Sequence, residues 1–236
     1  MANRVNDDHV FYRNPTKYYP PAVKGDGVYI YDTEGKTYID GSGGAVVSAI
    51  GHGVQEVREA MIRQLGRIDF THGTQFTSKA AASLAENLVR IAPASLSRVY
   101  FLSGGSEAVE TAVKMARQYQ VDRGMPLKYK VISRWTSYHG NTLGALALGG
   151  HTGRRRYYQP LIQHTPHIVP AYCYRCPFGL APDACCLECA DDLEKTILYE
   201  GPDSVSAFIL EPVVGATPGA LVPRAGDMQK LREICS

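Results

Sequence analysis

Apolar and polar positions change their spacing several times along the chain, and each change marks an element. Residues 28–40, VYIYDTEGKTYID, alternate on both sides of Asp32-Thr33-Glu34-Gly35 and predict a β-hairpin. GSGGAVVSAIGHG follows, a small apolar segment bracketed by glycines. In VQEVREAMIRQLGRI, Val57, Met61 and Leu65 recur at helical spacing. SKAAASLAENLVRIAP repeats the pattern with Leu84, Leu88 and Ile91, and Pro93 stops it. Strands and helices then alternate: strands over 98–102, 128–134, 167–172 and 205–211, helices over 106–120, 187–200 and from 227 onward. Connections of this length predict an α/β fold with a mostly parallel sheet and flanking helices. In the last segment, RAGDMQKLREICS, Asp227 reads as an N-cap, with Met228, Leu231 and Ile234 on one face. No strand follows it, so the expectation is an undocked helix and a sheet lacking its closing elements.

Composition changes this picture little. The chain has 236 residues, 44% hydrophobic and 20% charged, as soluble globular proteins do. A net charge of +2 gives no case for nucleic acid or a membrane surface. The densest basic cluster, Arg154-Arg155-Arg156, reads as a solvated or phosphate-facing patch. The polar start, MANRVNDDHVFYRN, is unlike a secretory signal, and no apolar run approaches a bilayer span, so a cytoplasmic protein is expected. Five of the six cysteines fall between Cys173 and Cys189, and disulfides are not expected among them. Cys173-x-x-Cys176 and Cys186-x-x-Cys189 have the spacing of a zinc knuckle. Such spacing over-selects, and a thiol-rich excursion without a metal is the preferred reading.

Three segments carry candidate chemistry. VYFLSGGSEAVETAVKMARQY, residues 99–119, runs from apolar to Gly-rich to amphipathic, with Ala108, Ala112, Met115 and Tyr119 on one helical face and Glu110 and Lys114 as an i,i+4 pair elsewhere. A helix is expected to begin near Ser106, with Gly104 and Gly105 free to take positive φ and to let a ligand approach the backbone. First-turn N–H groups then suit a phosphate, although the glycines taken alone favour a plain tight turn. In SYHGNTLGALAL, Tyr138 could stack on a planar ring with Gly140 leaving room beside it, or be a buried tyrosine next to a loop histidine. FILEPVVG brings Glu211 to the end of an apolar run, either paired in a site or emerging at the sheet edge. All three segments fall where ligands of α/β sheets bind, at the carboxyl ends of strands.

Together these segments resemble the class III (ω-type) pyridoxal-phosphate-dependent aminotransferases. YIDGSGGAVVSAIGHGVQEVREAM, FTHGTQFTSKAAASLAENLVRIAP, FLSGGSEAVETAVKMAR, SYHGNTLGALAL and FILEPVVG match that family's blocks in order, from about Tyr29 onward. The resemblance implies a fold type I PLP-transferase: residues 1–65 as the N-terminal part of a small α+β domain, and 66–236 as an incomplete PLP-binding large domain. It implies pyridoxal 5'-phosphate as cofactor, with Gly105 and Ser106 at the phosphate, Tyr138 on the pyridine ring, His139 nearby and Glu211 by the phenolic side. Gly43, Gly44 and the segment from His72 to Thr74 would line the pocket, partly across the interface of a homodimer. The reaction implied moves an amino group from an amine or ω-amino acid to a 2-oxo acid.

The departures from the family also carry information. Family members continue for nearly as long again, and that half holds the aspartate that pairs with the pyridine nitrogen and the Schiff-base lysine. No lysine here matches the lysine motif, so residues 1–236 alone are expected to transfer no amino group. The catalytic residue is therefore not named within this chain. Members using 2-oxoglutarate commonly carry a second acid five residues after the Glu211 position. Ala216 stands there, which favours pyruvate or glyoxylate as acceptor. An aminomutase or decarboxylating relative on the same scaffold, and a non-catalytic interaction module, are the alternatives.

Overall fold

The computed structural model describes Asn6 and residues 8–236, apart from the side chain of Pro182. It divides into two compact units, Met1–Val99 and Tyr100–Ser236.

The first unit begins with an antiparallel sheet in the order β1-β2-β3, built from β1 (Ala22–Asp26), β2 (Tyr29–Asp32) and β3 (Thr37–Ile39). The hairpin of β2 and β3 is in register Tyr29↔Ile39 and Tyr31↔Thr37. Its turn is held by Asp32, whose Oδ1 accepts from the N–H groups of Glu34 and Lys36, both at 2.9 Å. Tyr38 donates its hydroxyl to Oδ2 at 2.7 Å, and that bond pushes the Tyr38 phenol up to about 12. Strand β1, AVKGD, has no alternating pattern, so nothing in its residues announces it. After β3 comes α1 (Gly43–Val46), a single turn in which Gly44 and Ala45 lie at φ 59° and 61°. Helices α2 (Gln55–Leu65) and α3 (Lys79–Ile91) follow, and the Ser78 hydroxyl caps α3 by accepting from Ala81 N at 3.1 Å.

No strand forms over 98–102. Tyr100, Phe101 and Leu102 are exposed, and among the described residues no segment pairs with them. An apolar run becomes a strand only when a neighbouring ladder takes its N–H and C=O groups.

The second unit is built on a parallel sheet in the order β5-β4-β6, with β4 (Lys130–Arg134) between β5 (His167–Ile168) and β6 (Val205–Phe208). Strand β5 is shorter than its apolar run because the Val169 N–H turns to Asp192 Oδ2 at 2.9 Å and Pro170 has none to give. The flanking helices are α4 (Gly105–Asp122), α7 (Glu188–Glu200) and α8 (Asp227–Ile234). Two short helices, α5 (Leu143–Leu148) and α6 (Thr152–Arg155), stand between β4 and β5. Ile132, Ile168, Ala190, Leu193 and Leu231 form the core, with Met228 and Ile234 packed on it. The final helix is thus docked, contrary to the expectation from the chain's end. Asp227 is not its N-cap either: Gly226 holds that position at φ 90°. The Asp227 carboxylate is fully buried and grips the Arg134 guanidinium through two 2.9 Å hydrogen bonds, a partner that outcompetes backbone capping.

Among the described residues no helix is long and apolar enough to cross a membrane.

Candidate active site

The loop leaving β4 is closed by its own side chains and backbone. Ser137 donates its hydroxyl to Arg134 O at 2.6 Å and accepts from Gly150 N at 3.0 Å, while Thr136 N reaches Gly150 O at 3.0 Å. This knot fixes where Tyr138 and His139 begin. The next residue, Gly140, lies at φ 144°, and a Cβ there would stand 2.7 Å from both Ser106 Oγ and Ala145 Cβ. Its missing side chain lets the loop rest on the first turn of α4, so the room it leaves is taken by Ser106 and Ala145.

Ser106 meets this loop directly, its Oγ accepting from Asn141 N at 2.8 Å. The helix begins at Gly105 with Gly104 as N-cap at φ −157°, and neither glycine takes positive φ. What they provide is space: a Cβ on Gly105 would meet nothing within 4 Å. The start of an 18-residue helix, with open space beside Gly105 and a Ser106 hydroxyl whose proton stays available, suits an anion.

Beyond β6, Glu211 closes the third side. Its Oε2 accepts from Tyr138 N at 2.8 Å and its Oε1 from Gly215 N at 3.2 Å. The three sequence segments are therefore joined by side-chain oxygens of Ser106 and Glu211 accepting from main-chain N–H groups of the loop after β4. His139 is buried, and its Nε2 has no partner among the described residues. Burial pushes the imidazole below its ordinary value of 6.5, with the nearby Glu211 charge partly opposing, so the ring is neutral at neutral pH.

Several details differ from the sequence expectation. Glu110 does not serve Lys114: its Oε1 accepts from Thr142 Oγ1 at 2.6 Å, Gly144 N at 3.1 Å and Ala145 N at 3.3 Å, capping α5. The face of α4 with Ala108, Ala112, Met115 and Tyr119 is exposed, while Gln120 is buried over β6. The three arginines are not one patch. Arg155 is buried, donating to Ala147 O at 3.1 Å and Gly149 O at 2.8 Å, and Arg154 lies over the Tyr138 ring with its guanidinium carbon 4.3 Å from the centroid. No spacing rule would have found Asn141, Glu110 or Arg154, because each acts through tertiary contact.

The remaining candidates lie in the first unit. Gly43 and Gly44 sit in the left-handed turn, and His72 Nδ1 lies 2.8 Å from Thr74 Oγ1. In the cysteine segment, no three His, Cys, Asp or Glu side chains among the described residues are arranged to hold a metal. All six cysteines are free. Cys189 donates to Asp227 Oδ1 at 3.5 Å, and burial pushes its thiol up to about 12, so it is a neutral thiol at neutral pH.

A parallel sheet with helices on it places its ligand-binding loops at the carboxyl ends of its strands, where the Tyr138 and Glu211 loops lie. Residues 11–236 match the family model for aminotransferase class-III. An uncharacterized aminotransferase of Bacillus subtilis (strain 168) is 40% identical over 92% of this chain and 49% of its own length. The beta-alanine–pyruvate aminotransferase of Pseudomonas aeruginosa is 35% identical over 90% of this chain and 46% of its own. The crystal structure of the omega transaminase from Pseudomonas jessenii in complex with PMP superposes with a TM-score of 0.86 at 33% identity, covering 92% of this chain and 48% of that one. The chain belongs to the class III aminotransferases, a pyridoxal-phosphate-dependent family. It spans about half the length of the relatives it matches.

Proposed function

We propose that Gly105, Ser106, Tyr138, His139 and Glu211 hold pyridoxal 5'-phosphate in an enzyme that moves an amino group from an amine or ω-amino acid to a 2-oxo acid. The observation that carries this reading is the joining of Ser106 to Asn141 N and of Glu211 to Tyr138 N beside the buried, unpartnered His139 Nε2. These residues fit the cofactor's chemistry: a helix start for a dianionic phosphate, an aromatic face for a planar ring, and polar groups for its rim. When bound, the cofactor supplies the electron sink and carries the amino group. The chain's own residues would bind and orient it: the first turn of α4 would hold the anion, Tyr138 would offer its face to the ring, and Glu211 holds the Tyr138 backbone in place. His139, kept neutral, adds no positive charge beside the ring.

The finer assignment follows the residues present. Ala216, in place of a second acid, favours pyruvate or glyoxylate over 2-oxoglutarate, and a relative named for pyruvate agrees with that choice. The division into residues 1–65 of a small domain and 66–236 of the cofactor domain belongs to the same proposal, as do a homodimer and a cytoplasmic location. The exposed apolar side chains of α2, with Met61 and Leu65 at 61% and 62% exposure, support association with further protein. No lysine of residues 1–236 takes the role of the Schiff-base lysine, so this stretch alone transfers no amino group.

The test is an acceptor comparison on the protein that carries this chain, with an ω-amino acid donor and added cofactor. Pyruvate or glyoxylate should exceed 2-oxoglutarate in kcat/KM by at least about tenfold, the effect of one lost charge-assisted hydrogen-bond pair. A preference for 2-oxoglutarate would overturn the acceptor assignment. Amino transfer by residues 1–236 alone would overturn the lysine assignment.

A further inference from the structure

An aromatic ring has two faces, and in this structure one face of Tyr138 is already taken. The Arg154 guanidinium carbon lies over that ring, 4.3 Å from its centroid, well inside the range of a cation–π contact. Arg154 is exposed, and among the described residues no carboxylate forms an ion pair with it. Its backbone is nevertheless fixed from both sides. His151 Nδ1 accepts from Arg154 N at 3.3 Å, and the next residue, Arg155, is buried with its guanidinium bonded to Ala147 O and Gly149 O. The backbone of Tyr138 is held just as firmly through Glu211 and through Ser137. The Tyr138 ring has no hydrogen bond among the described residues to set its rotation, whereas the Arg154 guanidinium lies directly over its face.

We infer that Arg154 is a positioning residue: it covers one face of the Tyr138 ring, fixes its rotamer, and leaves the opposite face for the planar cofactor. The inference rests on the reading that Tyr138 stacks on the cofactor. Arg154 acts through the ring, so its effect on cofactor affinity must disappear when the ring is gone. The expected size is that of an exposed cation–π contact, about two- to fivefold in affinity.

The experiment uses pyridoxamine 5'-phosphate, which binds without a covalent link. Trp135 is the only tryptophan of this chain and stands three residues before Tyr138, so its quenching reports binding; in a longer protein, a Trp135→Phe control identifies that signal. Titrations on the protein carrying this chain compare Arg154→Ala, Arg154→Lys, Tyr138→Ala and the double variant Arg154→Ala/Tyr138→Ala. Arg154→Ala should weaken binding about two- to fivefold, Arg154→Lys should restore part of that loss, and the double variant should bind like Tyr138→Ala alone. An unchanged affinity in Tyr138→Ala would refute the stacking role of Tyr138, and the inference with it. With that role intact, an unchanged affinity in Arg154→Ala would refute the inference alone. The same factor persisting in the Tyr138→Ala background would mean that Arg154 touches the ligand directly. Tighter binding by Arg154→Ala would mean that the guanidinium blocks the face the cofactor needs. Arg154→Lys covers the case in which the alanine variant fails to fold.

Discussion

In Met1–Val99, helices α2 and α3 carry regular apolar stripes, yet neither buries a residue. In Tyr100–Ser236, the short helix α8 carries a stripe of the same kind, and its Leu231 is 2% exposed among Ile132, Ile168, Ala190 and Leu193. Every fully buried apolar side chain among the described residues belongs to the second unit. An amphipathic pattern reports that a helix has a face to cover, and whether that face is covered depends on what lies opposite. The candidate site lies in the unit that has a core, which gives the Tyr138 loop and the α4 start a firm base.

Removing a support of that core should have the largest effect. Asp227→Ala leaves Arg134 buried without its partner, at a cost of about 3–5 kcal/mol in unfolding free energy. Replacing both residues with apolar ones of similar volume should recover most of it. A small loss in Asp227→Ala would mean that the pair is open to water. Next in size, Leu193→Ala should cost about 2–5 kcal/mol, against less than about 0.5 kcal/mol for Met61→Ala in α2. Equal costs in denaturant titrations would break the comparison within this chain and show that α2 is covered by further protein, as the proposed association requires.

A smaller effect is expected from pH. Burial holds both His139 and His167 below the ordinary histidine value of 6.5, so the folded state takes up protons less readily than the unfolded chain. Their contribution is complete above that value and is lost as pH falls below it. The thermal midpoint should decline between about pH 6.5 and 5, and His139→Gln should flatten the decline. A midpoint that rises on acidification would contradict the burial of these rings. Ser106→Ala should cost about 0.5–1.5 kcal/mol through the lost acceptor for Asn141 N. If cofactor retention falls no further than that stability loss explains, Ser106 does not touch the phosphate.

The sequence made some of this legible and left the rest dark for physical reasons. The alternation of β2 and β3 and the stripes of α2, α3 and α4 are local periodicities, and each element formed within a few residues of its expected place. The apolar run at 98–102 has the composition of a strand but no ladder to join. The last helix was expected to be undocked because the missing strand suggested a missing partner, whereas α7 and β4 supply one. In the site, the ordered motifs pointed to Ser106, Tyr138 and Glu211 as one cluster, and the bonds of Ser106 Oγ with Asn141 N and of Glu211 Oε2 with Tyr138 N bring their segments together. The acceptor for Asn141 N, the cap that Glu110 forms and the guanidinium on Tyr138 depend on approaches between residues 16 to 35 positions apart, which no local pattern encodes.

The most direct measurement is a crystal structure of the protein carrying this chain, grown with pyridoxamine 5'-phosphate. The phosphate should lie within hydrogen-bond distance of the Gly105 and Ser106 main-chain N–H groups and the Ser106 hydroxyl, with the pyridine ring stacked on the Tyr138 face opposite Arg154. A ligand bound elsewhere, or a phosphate that leaves the start of α4 untouched, would contradict the assignment of this cluster as the cofactor site.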